Sequence, residues 1–105
     1  MDAKIKIYKV VVSQRATQML VNHARFLAQV SEKAAENLVI EFQQIAESLK
    51  SMPERNPWLD SQYIPNEKYR KLLMSKHYLL IYQVKQDTVY IDHVLDCRQD
   101  YKWLL

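Results

Sequence analysis

Ala16, Met19, Leu20, His23, Phe26, Leu27 and Val30 recur at steps of three and four residues, the spacing that lines up apolar side chains along one face of an α-helix. Ser13 precedes this stripe, where an N-cap side chain accepts a backbone N–H, so the predicted helix begins just after it. Ser31 stands in the same relation to a stronger stripe, Ala34, Ala35, Leu38, Val39, Phe42, Ile45, Ala46, Leu49 and Met52, which runs to Pro53. The junction at Val30 and Ser31 is short, so the two helices form an antiparallel hairpin. Glu32, Glu36, Glu41 and Glu47 lie opposite the second stripe and read as a solvated acidic face.

On either side of the hairpin the period drops to that of strands. Lys4–Val12 mixes Lys with Ile, Tyr and Val in a β-favouring run, although Lys9 interrupts its alternation. Three more strands are predicted at Tyr69–Met74, Tyr78–Val84 and Thr88–Leu95, joined by polar turns at 75–77 and 85–87 into an antiparallel meander. Strict alternation in the last strand sets Val89, Ile91, His93 and Leu95 on one face and Tyr90, Asp92, Val94 and Asp96 on the other; extended, it places Arg98 with the more polar set. Residues 52–68 carry Pro53, Pro57 and Pro65 among Glu54, Arg55, Asn56 and Asp60, a composition that opposes regular structure. Trp58, Leu59, Tyr63 and Ile64 are expected to pin this long connection to the core.

The expected fold is therefore α+β, with element order β-α-α-β-β-β and the helical hairpin packed on one face of a small, mainly antiparallel sheet. Residues 1–105 are expected to form one domain. The first strand must pair with one of the last three, and the second sheet face is left partly exposed for a partner.

Composition narrows the chemistry. Glycine is absent, which excludes a phosphate-cradling P-loop or a dinucleotide fingerprint and leaves the turns to Asn, Asp, Pro and Lys. Cys97 is the sole cysteine, so neither an intrachain disulfide nor a thiolate zinc cluster can form. His23, His77 and His93 are spread over a helix, a turn and a strand without metal-ligand spacing and read as core or surface histidines; no metal or other cofactor is expected. No apolar run reaches the length of a membrane span and residues 1–8 hold no signal-peptide core, so a cytoplasmic protein without membrane association is expected. The net charge of +3 is too mild to identify a nucleic-acid binder, although Lys4, Lys6, Lys9, Arg15 and Arg25 face Asp2 alone in residues 1–29.

The element order, together with Leu49–Pro53, Tyr78–Val84 and Val94–Tyr101, resembles the RelE/ParE toxin superfamily over essentially the whole chain. Members show an aromatic-aliphatic strand similar to Tyr78-Leu79-Leu80-Ile81-Tyr82-Gln83-Val84, then a hairpin, then an arginine just past the last strand, here Arg98. The resemblance implies the toxin of a type II toxin-antitoxin system, held inactive by a cognate antitoxin protein. RelE-like members are metal-independent endoribonucleases that cleave mRNA on the ribosome, and this is the first expectation for the chain; ParE-like members inhibit DNA gyrase without catalysis, which is the alternative. A repurposed member without toxicity is the third reading.

For the nuclease reading, the resemblance gives Arg98 the task of stabilising phosphate charge, Tyr101 that of general acid or stacking ring, and Arg70 the place of a basic site residue. Lys68, Lys71 and Lys76 would add contacts to RNA or another target. Two positions depart from the nuclease pattern: Leu79 follows the aromatic residue where those members have arginine, and Leu72 falls where a second basic residue is expected. Trp103, Leu104 and Leu105, with Tyr101, either dock on the core or form apolar surface that the antitoxin covers. Arg98 has a structural alternative as well, an ion pair with Asp96 or Asp100. Tyr82 and Tyr90 are expected to pack in the sheet rather than to stack on bases.

Overall fold

The computed structural model describes residues 6–60 and 65–99. The two apolar stripes become α1 (Gln14–Ala28) and α2 (Glu32–Ser48). Both start where their caps predict: Ser13 Oγ accepts from the Ala16 N–H at 2.9 Å, and Ser31 Oγ from the Ala34 N–H at 3.1 Å. α2 stops at Ser48 and does not continue through Met52. Pro53 disfavours helical geometry in the residue before it, and Met52 turns into the left-handed region at φ 50°. Arg55 then covers the end, its Nη1 donating to the carbonyls of Ser51 and Met52 at 2.5 and 2.9 Å.

The strands are β1 (Lys9–Val12), β2 (Arg70–Met74), β3 (Tyr78–Lys85) and β4 (Thr88–Asp96), arranged β1-β4-β3-β2. β1 lies parallel to β4, from Lys9 opposite Thr88 to Val12 opposite Ile91, while the other two pairings are antiparallel. β1 is shorter than the predicted Lys4–Val12. Tyr8 donates its N–H to the Lys50 carbonyl at 2.8 Å, so the chain there is tied to the end of α2 instead of a strand; residues 1–5 of that prediction lie outside the described residues. The α+β architecture and its element order are those expected from the sequence.

The last strand departs from strict alternation. Ile81 pairs with His93 but Tyr82 pairs with Ile91, so Asp92 is an extra residue in β4, a β-bulge. One inserted residue reverses the phase of everything beyond it. Val94 therefore joins Val89 and Ile91 in the core beneath the helices, with Leu20, Leu38, Phe42, Leu80 and Tyr82. Asp96, opposite Tyr78, follows Val94 to the helix side and is buried.

The far face of the sheet is less exposed than expected. Leu59 packs there with Leu79, Ile81 and Leu95, all four buried. It is placed by an edge contact, with the Leu59 N–H donating to Tyr69 O at 2.7 Å and the Lys71 N–H to Pro57 O at 3.0 Å. Tyr82, fully buried, supplies the second anchor for this connection: its hydroxyl donates to Pro53 O at 2.5 Å and accepts from Asn56 Nδ2 at 2.9 Å. Leu59 pins the loop as predicted, whereas Tyr63 and Ile64 lie outside the described residues.

Among the described residues of this chain without glycine, the left-handed backbone positions are Met52, Glu67, Ser75, Lys76 and Gln86; Ser75, Lys76 and Gln86 lie in the expected turns at 75–77 and 85–87, though only Lys76 is of a residue type expected to replace glycine. Such geometry costs about 1–2 kcal/mol in a residue with a Cβ. At Ser75 the cost is offset by Glu41 on α2, whose carboxylate accepts from the Ser75 N–H at 3.1 Å and from its hydroxyl at 2.5 Å. Glu41 is thus a tie between α2 and the β2–β3 turn, not a solvated residue of an acidic face.

Tyr82→Phe is expected to lower stability by about 1–3 kcal/mol, because it strands a buried carbonyl and an amide, and urea unfolding should show it. Gln86→Gly in the β3–β4 turn is expected to raise the unfolding free energy by up to about 1 kcal/mol, read as a higher urea midpoint, since no described side-chain contact of Gln86 is lost.

Candidate functional site

Arg98, two residues past β4, is the sequence-predicted residue whose surroundings are most specific. The reversed phase of β4 carries Asp96 inward, and Asp96 Oδ1 accepts from both the Arg98 backbone N–H at 2.9 Å and Arg98 Nε at 3.1 Å. Arg98 Nη2 reaches Asp96 Oδ2 at 3.2 Å and the Tyr78 hydroxyl at 3.3 Å. The ion pair anticipated as an alternative is therefore present and is made with Asp96. Its two halves are unlike: the Asp96 side chain is 2% exposed and that of Arg98 48%. The guanidinium is fixed along one edge and faces solvent along the rest.

Burial pushes the Asp96 carboxyl up, but the hydrogen bonds from Arg98 and the charges of Arg98 and His23 outweigh it and hold Asp96 below its ordinary value. Burial, followed by the charge of Asp96, raises Tyr78, so its hydroxyl stays protonated near neutral pH. Behind Tyr78 lies His23 of α1, ring centroids 5.2 Å apart, with Nε2 donating to Val94 O at 2.8 Å. α1 thus buttresses the platform on which Arg98 rests.

Of the other predicted site residues that are described, Lys76 lies at the Arg98 end of the sheet, in the turn whose His77 carbonyl accepts from the Cys97 N–H at 2.7 Å, while Arg70 lies further along. Arg70 pairs with Tyr82 while Asp96 pairs with Tyr78, four residues along β3, a separation of about 13 Å at the rise of a strand. The Arg70 guanidinium stacks on Trp58 at 3.7 Å and donates to Asn56 O at 2.7 Å, so it too holds the 52–68 connection. Lys71 faces the opposite side of the sheet and lines a cleft of about 430 Å³ with Leu59, Leu73 and Leu79. Lys68 lies 5.2 Å from the Tyr69 ring, and Lys76 sits in the β2–β3 turn. Leu72, one of the two departures, packs under the helices; Leu79, the other, belongs to the apolar cluster of the far face. Tyr101, Trp103, Leu104 and Leu105 lie outside the described residues.

The bulge creates a polar pocket that the sequence reading missed. Asp92 and His93 line it with Ser13, Arg15 and Tyr69, around a volume of about 320 Å³. Gln83 Nε2 donates to Asp92 Oδ2 at 2.7 Å, and the Tyr69 hydroxyl is raised first by burial and then by the Asp92 charge. Burial, reinforced by the charge of Arg15, lowers His93 and keeps the ring neutral at pH 7. The one available signal was the polar pair Asp92-His93 inside an otherwise apolar strand; nothing in the sequence announces the inserted residue.

A helical hairpin on a sheet whose first strand runs parallel to its last, with an arginine anchored just past that last strand, defines the class as a small toxin of the RelE/ParE superfamily. Within it, residues 10–101 match the model of the ParE toxin of the type II toxin-antitoxin system parDE, and the chain belongs to that family. The fold is similar to a chain of the chromosomal ParDE toxin-antitoxin system from P. aeruginosa, with a TM-score of 0.68 at 13% identity, covering 86% of this chain and 96% of that one. No curated protein matches the sequence. Among the described residues no helix is long and apolar enough to cross a membrane, and no group of His, Cys, Asp and Glu could hold a metal ion.

The Asp96 pair gives a signed pH prediction. Because its folded value lies below the ordinary 3.8, its stabilisation is complete above that pH and is lost as pH falls through the lower folded value. Asp96→Asn is expected to be less stable than wild type at pH 7, with the difference shrinking below pH 3.8 in urea titrations.

Proposed function

We propose that the chain is the toxin of a type II toxin-antitoxin pair, neutralised by a cognate antitoxin, and that it acts as a ParE-like inhibitor of DNA gyrase. Membership of the ParE family is the observation that carries this reading. The neighbourhood of Arg98 supports it. Cleavage of RNA by its own 2′-hydroxyl needs a proton acceptor, a cation and a proton donor converging on one phosphate. Among the described residues around Arg98, Asp96 is a weak base already bonded to the guanidinium, and Tyr78 and His23 stand behind it. Arg70 is bound to the connecting loop, and leucines stand at 72 and 79. An inhibitor that only binds requires none of that machinery, only a surface of matching shape and charge, for which a half-exposed arginine on a rigid base is well suited.

The helical hairpin supports the antitoxin half of the proposal. Ala24, Ala28, Ala35, Val39 and Ile40 line an apolar groove of about 470 Å³ between α1 and α2, and Phe26, Val30 and Ile40 are exposed at 52, 84 and 49%. A groove of this form suits an amphipathic helix.

Expression of the chain alone is expected to arrest bacterial growth, and co-expression of the neighbouring gene to restore it; normal growth at high protein level would select the repurposed, non-toxic reading. The purified chain should block gyrase supercoiling while cellular mRNA stays intact by primer extension; codon-positioned cuts with unaffected gyrase would select the mRNA-interferase reading. Arg98→Ala should weaken inhibition about thirtyfold, the roughly 2 kcal/mol of an interface arginine, and retain the wild-type circular dichroism spectrum.

A further inference from the structure

The pocket at the bulge of β4 lies across the sheet from the buried Asp96 and has a chemistry of its own. Three segments converge on it: Ser13 and Arg15 at the start of α1, Tyr69 just before β2, and the consecutive pair Asp92-His93. The bulge brings that pair to one side of the sheet, which an unbroken strand would not do. The lining combines one carboxylate, one guanidinium and two rings, Tyr69 and His93, whose centroids stand 6.0 Å apart edge to face. Asp92 opposes a simple anion, and Arg15 a simple cation. A neutral planar ligand with donors and an acceptor on one edge satisfies both.

We propose that this pocket binds one unpaired guanine base of a single-stranded nucleic acid, with Asp92 and Arg15 reading its edge and Tyr69 and His93 lying against the ring. Guanine presents two adjacent N–H donors, at N1 and N2, which a carboxylate accepts together, and beside them a carbonyl, O6, for a guanidinium. Uracil and thymine offer a single ring N–H between two carbonyls, and adenine and cytosine lack the paired donors. An ionised carboxylate has about four acceptor positions. Gln83 occupies part of that capacity on Asp92, and its bond holds the group in place for a ligand. The volume of about 320 Å³ lies in the range of small-ligand sites. Lys68, against the Tyr69 ring, and Lys71, on the same sheet face, are placed to meet flanking phosphates.

The test is fluorescence anisotropy of the full chain with labelled single-stranded pentanucleotides at one fixed salt concentration. The RNA and DNA probes carry a central guanine, hypoxanthine, adenine or pyrimidine in a uridine or thymidine background. Guanine should bind about tenfold more tightly than hypoxanthine, which lacks the 2-amino donor. The preference should disappear in Asp92→Asn and in Arg15→Gln and persist in Arg98→Ala. Arg15 is an exposed residue, so its variant keeps the question answerable if Asp92→Asn does not fold. Tighter RNA binding would assign the base to a message, and tighter or equal DNA binding to an opened duplex; both carry the proposal. Equal binding of all bases by the wild-type chain, or a guanine preference surviving in the folded variants, overturns it. Because the readout is independent of growth and of gyrase, its failure is distinguishable from failure of the toxin reading.

Discussion

One inserted residue in the final strand governs the rest of the structure. Where β4 faces Ile81 and Tyr82 of β3, Asp92 has no partner of its own, and the strand resumes with its faces exchanged. Upstream, Val89 and Ile91 fill the core under the helices; downstream, Val94 takes over that task and Leu95 turns to the far face against Leu59, Leu79 and Ile81. Side-chain period in a strand is two, so a register error is not graded: it moves a whole segment between core and surface.

The same insertion positions the polar chemistry. Asp96 goes inward, where a carboxylate is stable only if it is bonded, and Arg98 supplies three of those bonds, one from its backbone N–H and two from its guanidinium. The bonding that stabilises Asp96 also immobilises Arg98, so core and candidate site are coupled through one buried group. Tyr78 and His23 extend that coupling to α1. On the other side of the sheet, the bulge collects Asp92 and His93 beside Arg15 and Tyr69. Two separate polar constellations thus descend from a single irregularity.

Much of the architecture was legible in the residues. The caps at Ser13 and Ser31, the two apolar stripes and the meander with its short turns follow from local rules of period and hydrogen bonding, and they appear as expected. What was not legible depends on contacts between distant segments. The parallel pairing of β1 with β4 joins residues far apart in sequence. Glu41 looks like any surface glutamate until the β2–β3 turn arrives beside it. Leu59 covers a face that alternation alone would leave open. Arg98 was found by resemblance and its ion pair by proximity to Asp96, whereas the pocket at Asp92 and His93 was hidden because alternation assigns those neighbours to opposite faces.

Whether Asp92 sets the phase of the last strand is read directly from cross-strand nuclear Overhauser effects in the isotopically labelled chain. Contacts are expected across the sheet between Ile81 and His93 and between Tyr82 and Ile91, with Asp92 outside the regular ladder and Asp96 opposite Tyr78. Contacts between Tyr82 and Asp92 in an unbroken register would contradict it, because Val94 and Asp96 would then leave the helix side and Arg98 would lose its buried anchor.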